Sequence, residues 1–242
     1  MTSSDQPPAV KALVFDVFGT VVDWRGSLIA DFTRWSAGRG ITADWAALVD
    51  AWRGAYVPSM DEVRKNPQRG YLPLDVLHRQ SLEKLVAGFG IAGLSEDDLA
   101  YLTRGWHRLL PWADSVGGLT RLKTRYVIGT LSNGNVALLT NMAKHAGLPW
   151  DVIFSAEIFA HYKPDPEVYL GAARLLGIEP AELMLVAAHN DDLRAAQKLG
   201  LRTGFVPRPT EYGPLQRKDF KADGDWDVVA ADFNDLAGRM GC

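Results

Sequence analysis

The sequence is short of several things, and each shortage excludes something. It has one cysteine in 242 residues, Cys242 at the last position, so no disulfide can close within the chain and a reducing compartment is the natural expectation. No apolar run approaches the ~18 residues of a membrane span. The opening stretch MTSSDQPPAVKALVF has no basic segment followed by a long apolar core, so no secretory leader is expected. Pro7-Pro8 marks a short leader segment. Neither charge sign dominates: 26 Lys and Arg against 29 Asp and Glu give a net charge of −3. That leaves no basic field for nucleic acid or an anionic membrane, though a few local cations could still hold a small anion. No repeat, Walker A, GxSxG or HExxH motif occurs. Gly88 to Gly93 satisfies GxGxxG, but it follows a helical pattern rather than a strand and reads as a loop. Five dispersed histidines and one cysteine make no zinc constellation, and no cofactor is expected. The expectation is a soluble, cytoplasmic protein.

What is present is ordinary globular material, 47% hydrophobic and 23% charged, long enough for one large domain or a core plus an insertion. Short β-branched runs alternate with helical patterns. Strands are predicted over 10–15, 126–131, 152–154 and 183–187, with shorter ones at 203–206 and 227–229. Helices are predicted over 114–123, 135–146, 165–176 and 191–199. Gly147, Gly177 and Gly200 follow the last three, where helix-terminating glycines belong. Near-continuously apolar strands in this alternation predict an α/β fold, a Rossmann-like parallel-sheet core with helices on both faces. The stretch from 24 to 110 breaks the rhythm. It is helical in pattern at 27–38, 43–57, 73–89 and 95–109, shows no convincing strand, and holds Trp24, Trp35, Trp45, Trp52 and Trp106. It reads as an inserted all-helical cap over 24–110, with a core of 1–23 and 111–242 and hinges at Asp23-Trp24 and Pro111-Trp112. In such sheets ligands bind beyond the carboxyl ends of the strands, where a cap would exclude water.

The predicted strand ends deliver polar groups to one rim. Asp16 ends the first strand and is followed by Val17-Phe18-Gly19-Thr20. Ser132-Asn133-Gly134 follow the second, His161-Tyr162-Lys163-Pro164-Asp165 the third, and Ala188-His189-Asn190-Asp191-Asp192 the fourth. Each alone has a structural reading: a cap, a turn, a solvated lysine, a helix N-terminal pair. All four in order favour a site. Asp16 beside a lysine would stay ionised and could act as a nucleophile on carbon or phosphorus. Hydrolysis of the resulting ester or acyl phosphate then needs a water-activating group, Asp192 or His189.

The order DxFGT, SNG, KPD and a strand-four acid resembles the haloacid dehalogenase superfamily over nearly the whole chain, cap included. Phosphatases of that superfamily carry a second aspartate two residues after the nucleophile, as general acid for the leaving alcohol. Here that position is Phe18, which cannot protonate a leaving group, whereas a halide needs no proton. Ala188 stands where magnesium-dependent members commonly have an acid, although Asp191 and Asp192 leave a metal open. The resemblance therefore implies the 2-haloacid dehalogenase branch, hydrolysing a small 2-haloalkanoic acid to the 2-hydroxy acid with no metal, and a possible homodimer. It implies Asp16 as nucleophile, Arg53 as halide acceptor, and Ser132 and Asn133 as binders of the substrate carboxylate or leaving group. It also implies Lys163 as the holder of the nucleophile, Tyr169 as a pocket residue and Asp192 as the activator of water. Arg64 and Arg69 are the competing cap arginines. The pattern departs after strand four, where relatives read SSN, a spacer, an aromatic residue and Asp. Here His189 replaces asparagine and Asp191 replaces the aromatic. A neutral His189 could share the base role. As an N–H donor near the leaving group it would favour haloacetates, fluoroacetate included. Alternatives are a magnesium-dependent phosphatase of the same superfamily and a catalytically weak binding member.

Overall fold

Residues 12–15, Ala-Leu-Val-Phe, are apolar throughout and all are buried. A strand without a polar side must lie between two layers. In the computed structural model, which describes residues 9–242, this segment is β1 (Ala12–Phe15), near the middle of the sheet. The Pro7-Pro8 leader lies outside the described residues. A short β2 (Val22–Asp23) leads into four helices: α1 (Trp24–Ser36), α2 (Trp45–Lys65), α3 (Leu74–Gly88) and α4 (Glu96–Thr103). A 3-10 turn over Arg104–Arg108 and a short β3 (Leu110–Pro111) bring the chain back. Alternation then resumes with α5 (Ser115–Lys123), β4 (Val127–Ser132), α6 (Val136–Ala146), β5 (Val152–Ser155) and α7 (Ala156–Phe159). It ends with α8 (Pro166–Leu176), β6 (Leu183–Ala187), α9 (Asn190–Lys198), β7 (Arg202–Phe205), β8 (Val228–Val229) and α10 (Phe233–Arg239).

Six strands form one parallel sheet in the order β5-β4-β1-β6-β7-β8. Side chains alternate across a strand, so β1 serves two cores. Ala12 and Val14 pack with Val168 and Ala172 of α8 and Leu193 and Ala196 of α9. Leu13 and Phe15 face the opposite way, with Leu119 of α5, Leu138 of α6 and Phe233 of α10. Helices on both faces follow from that period of two. β1 is flanked by β4 and β6, so the strand order reverses across it and a crevice opens at its carboxyl end.

The helical block is tied to the sheet at its root and along its rim. At the root, β2 and β3 pair antiparallel, Val22 with Pro111 and Asp23 with Leu110. Two-residue strands carry no readable alternation, so the sequence showed these positions only as hinges. Asp23 also caps α1, accepting from the Gly26 N–H at 2.8 Å. Along the rim the Tyr162 hydroxyl donates to the Leu72 carbonyl (2.6 Å) and Arg64 pairs with Asp165 (2.7 Å). Two helical expectations shift. α2 continues past Pro58 to Lys65, because buried Tyr56 and Met60 hold the turn against a proline penalty of about 3 kcal/mol. The segment predicted as helix 95–109 tightens to 3-10 geometry after Thr103. The GxGxxG stretch is the exit from α3, with Gly90 and Gly93 at positive φ.

One buried residue of the block carries a pH signature. His78 of α3 lies flat on Trp106, with ring centroids 4.3 Å apart, and neither ring nitrogen has a partner. Burial drives its pKa from 6.5 down to about 3. Between those values the unfolded chain takes up a proton that the folded chain refuses. The stability linked to His78 is therefore complete above pH 6.5 and is lost as the pH falls towards 3. At ~1.4 kcal/mol per unit the loss is bounded at about 5 kcal/mol. His78→Phe should flatten the acid limb. Urea midpoints at neutral pH and in mild acid should differ less in the variant than in the wild type, and an unchanged difference would remove His78 as the cause.

Candidate active site

Asp16 follows β1 directly and is anchored by its own N–H on the Val186 carbonyl (3.0 Å). Its two oxygens are treated differently. Oδ2 accepts from the Thr20 hydroxyl (2.7 Å) and from His189 Nδ1 (3.0 Å), whereas Oδ1 accepts from Lys163 Nζ (3.0 Å). Thr20 Oγ1 itself accepts from the Ala188 N–H (2.9 Å), which leaves the hydroxyl proton to Asp16. Burial alone would raise the Asp16 pKa. The Lys163 and His189 charges and the Thr20 bond outweigh it and hold the carboxyl well below the carboxylate range.

Lys163 stands between two carboxylates, Asp16 and Asp192 Oδ2. Burial pulls its pKa down, but the two anions raise it above that of an ordinary lysine. Its backbone N–H donates to Asn133 Oδ1 (2.8 Å), tying the loop after β4 to the loop before α8. Asp192 Oδ1 accepts from the Tyr169 hydroxyl of α8 (2.6 Å).

His189 also lies between two carboxylates. Nδ1 meets Asp16 and Nε2 meets Glu211 Oε2 (2.8 Å). Burial would make the ring neutral, but Glu211 and Asp16 raise its pKa well above 6.5, and each ring nitrogen faces a carboxylate oxygen. A ring set between two carboxylates favours the imidazolium over the expected neutral base. Glu211, on the loop after β7, is 1% exposed and also accepts from Trp24 Nε1 (2.9 Å). Burial would raise its pKa, but His189, Arg53 and Trp24 lower it. The sequence reading missed Glu211 because it lies several residues beyond its strand, in a loop of no readable path. A retrospective signal is Gly19, whose φ is +86° and whose Cβ, were there one, would fall 2.1 Å from Glu211 Oε1.

Above these groups the helical block contributes Arg53, Tyr56 and Met60 of α2, and Phe18 closes the floor. Together with Asp16, Asn133, Lys163, Tyr169, His189 and Asp192 they line a cavity of about 410 Å³. Phe18 meets Trp106 edge-on at 5.7 Å and Tyr56 at 6.2 Å. The Arg53 guanidinium lies 4.3 Å from the Tyr56 ring centroid and 5.5 Å from that of Trp24. Its Nη2 reaches Glu211 at 4.0 Å, while Nε and Nη1 are buried without partners. Nη2 also donates to the Tyr212 hydroxyl at 3.5 Å. A guanidinium in the cavity lining with two unsatisfied donors is suited to an anion.

Other expected residues fall elsewhere. Ser132 is fully buried, accepts from the Gly134 N–H (3.2 Å) and stands behind the cavity wall. Arg64 is at the cavity rim but is taken up by Asp165 and Asp61. Arg69 lines a separate groove between α2 and α3. Asp191 stands with Lys218 at the exposed mouth of the cavity and pairs with Arg194 (2.8 Å) and Lys218 (3.0 Å). Among the described residues no group of three or more His, Cys, Asp or Glu side chains is arranged to hold a metal, and no helix is long and apolar enough to cross a membrane.

A family model described as haloacid dehalogenase-like hydrolase matches residues 10–200. The fold superposes on a crystallised L-2-haloacid dehalogenase with a TM-score of 0.93 and 52% identity, covering 96% of this chain and 99% of that one. A crystallised defluorinating L-2-haloacid dehalogenase gives the same TM-score at 45% identity, covering 98% of this chain and 99% of that one. The (S)-2-haloacid dehalogenase of Xanthobacter autotrophicus is 29% identical over 212 residues, 82% of this chain and 76% of that protein.

Proposed function

The chain belongs to the haloacid dehalogenase-like hydrolase family, and from that premise we propose that it hydrolyses the carbon–halogen bond of a small 2-haloalkanoic acid. The product is the 2-hydroxy acid, formed through an ester on Asp16. The observation that carries the reading is the pairing of Phe18 with Arg53. Phe18 has no proton to give, and Arg53 offers a buried charged fork, two of whose three nitrogens have no partner, to whatever departs. That combination suits a leaving group that goes as an anion. Asp16, kept ionised by Lys163 and His189, attacks the halogen-bearing carbon. The carbon–halogen bond breaks, and the halide departs towards Arg53 with the bonding pair. Asn133 holds the substrate carboxylate. Water then attacks the Asp16 carbonyl carbon with Asp192 as base, and the new alcohol leaves with the Asp16 oxygen. The helices over 24–110 act as the cap that excludes water during the first step.

The site is compact and walled by aromatic rings, which favours haloacetates and 2-chloropropionate over longer acids. Relatives named for the L or (S) acids support a preference for the (S) enantiomer, and the defluorinating relative supports fluoroacetate as a substrate. The test is a halide-release screen over fluoro-, chloro- and bromoacetate and both 2-chloropropionate enantiomers, with and without chelator. Lys163 already places a cation between Asp16 and Asp192, so release should survive the chelator undiminished. Activity lost in chelator and restored by magnesium, together with phosphate-ester hydrolysis, would replace this reading by a phosphatase.

A further inference from the structure

The mechanism above leaves a buried carboxylate unused. Glu211 contacts nothing that reacts, yet it joins two cations of the site, His189 at 2.8 Å and Arg53 at 4.0 Å. We propose that Glu211 is a positioning residue that keeps His189 an N–H donor to Asp16 Oδ2 after Asp16 has been alkylated, so that the ester carbonyl has a charged donor when water attacks. The inference rests on the dehalogenase reading.

The hydrogen bonds of Asp16 distinguish its oxygens. Oδ1 has one donor, Lys163, and is the freer to form the bond to carbon. Oδ2 has two, Thr20 at 2.7 Å and His189 at 3.0 Å, and becomes the ester carbonyl oxygen. In hydrolysis the water oxygen bonds to Cγ and its proton passes to Asp192. The carbonyl pair moves onto Oδ2. Collapse of the tetrahedral centre breaks the Cγ–Oδ1 bond, and the departing alkoxide takes the proton from Asp192. Negative charge therefore develops on Oδ2, in the place two preorganised donors already occupy.

Alkylation removes one of the two anions that keep His189 protonated. The charged groups around the ring are then Glu211 from the loop after β7, Arg53 from α2, Lys163 from the loop before α8, and Asp192 on its own helix. Two of these are cations that favour a neutral ring. Of these groups Glu211 alone is bonded to the imidazole, and His189, Arg53 and Trp24 together keep it ionised. Were His189 to lose its Nδ1 proton, that nitrogen would turn a lone pair towards Oδ2 and oppose the reaction.

The test is Glu211→Gln with chloroacetate under rapid quench. Chloride release in the first turnover should stay within a few-fold of wild type. Glycolate formation should fall ~10²-fold, the scale of losing one oxyanion donor. The ester should accumulate as a mass adduct on the Asp16 peptide, and the rate should acquire a new decline on the alkaline side as His189 deprotonates nearer 6.5. Asparagine donates an N–H at any pH, so in a His189→Asn background Glu211→Gln should cost little. A merely structural Glu211 would cost as much there. In the unmutated protein, nitrogen NMR of the labelled histidines should find both His189 nitrogens protonated at pH 8. Equal slowing of both steps, an undiminished cost in the His189→Asn background, or a neutral His189 in the wild type would each overturn the inference. Failure of the wild type to form an ester from any haloacid would overturn the dehalogenase reading instead, and this inference with it.

Discussion

Asp16→Asn should abolish turnover, by a factor on the order of 10⁴–10⁶, without unfolding the protein. Asparagine is isosteric and its carbonyl can still accept from Thr20 and His189, so the sheet and the cavity are retained. What it lacks is the anionic oxygen beside Lys163 that forms the bond to carbon. The effect should fall on the first chemical step: no halide burst should appear even with enzyme in excess. The wild type supplies the complementary result. In a single turnover in ¹⁸O water the label should enter the Asp16 carboxylate, and the first hydroxy acid released should carry unlabelled oxygen from Oδ1. Label in that first product would mean direct attack by water, with Asp16 reduced to a base.

Arg53→Ala should lower kcat by ~10²–10³ with a smaller change in KM, because charge on the halogen builds up in the transition state rather than in the bound acid. Arg53→Lys should recover little of it. The rings of Tyr56, Trp24 and Tyr212 lie against a planar guanidinium, and an ammonium offers neither the fork nor the stacking. The loss should be greater for fluoroacetate than for bromoacetate, since fluoride is the poorer leaving group. Arg64→Ala should cost little, because that guanidinium serves Asp165 and Asp61 at the rim. A near-normal Arg53→Ala beside an inactive Arg64→Ala would reassign the halide acceptor.

The core was legible because it obeys short-range rules. All-apolar strands such as Leu183–Ala187 declare a sheet buried on both faces, and Gly147 and Gly177 take the left-handed conformation just where their helices stop. The site was legible where a residue sits at the end of its strand, as Asp16 and Asn133 do, or within a turn of the next helix, as Asp192 does. Three features were not. Ser132 and Asn133 are neighbours in sequence, but successive side chains leave a strand end in different directions, and only Asn133 reaches the cavity. The protonation of His189 depends on a partner distant in sequence, so no local pattern could give it. Glu211 is placed by a loop whose course depends on Gly19 having no side chain.

The alternation of charge through the site bears on why the substrate should be an acid at all. Arg53, His189 and Lys163 are interleaved with Glu211, Asp16 and Asp192, three cations against three anions, so this inner chain of contacts is electroneutral when His189 is protonated. Esterification erases the charge of Asp16. With an uncharged haloalkane the enclosure would be left holding an uncompensated positive charge, which would retain the departing halide and slow its escape. A haloacid brings a carboxylate that stays attached after the halogen has gone, and the alkylated site returns to neutrality once the halide departs. The acid group of the substrate thus does more than orient it: it stands in for the nucleophile's own charge during the interval when that charge is missing.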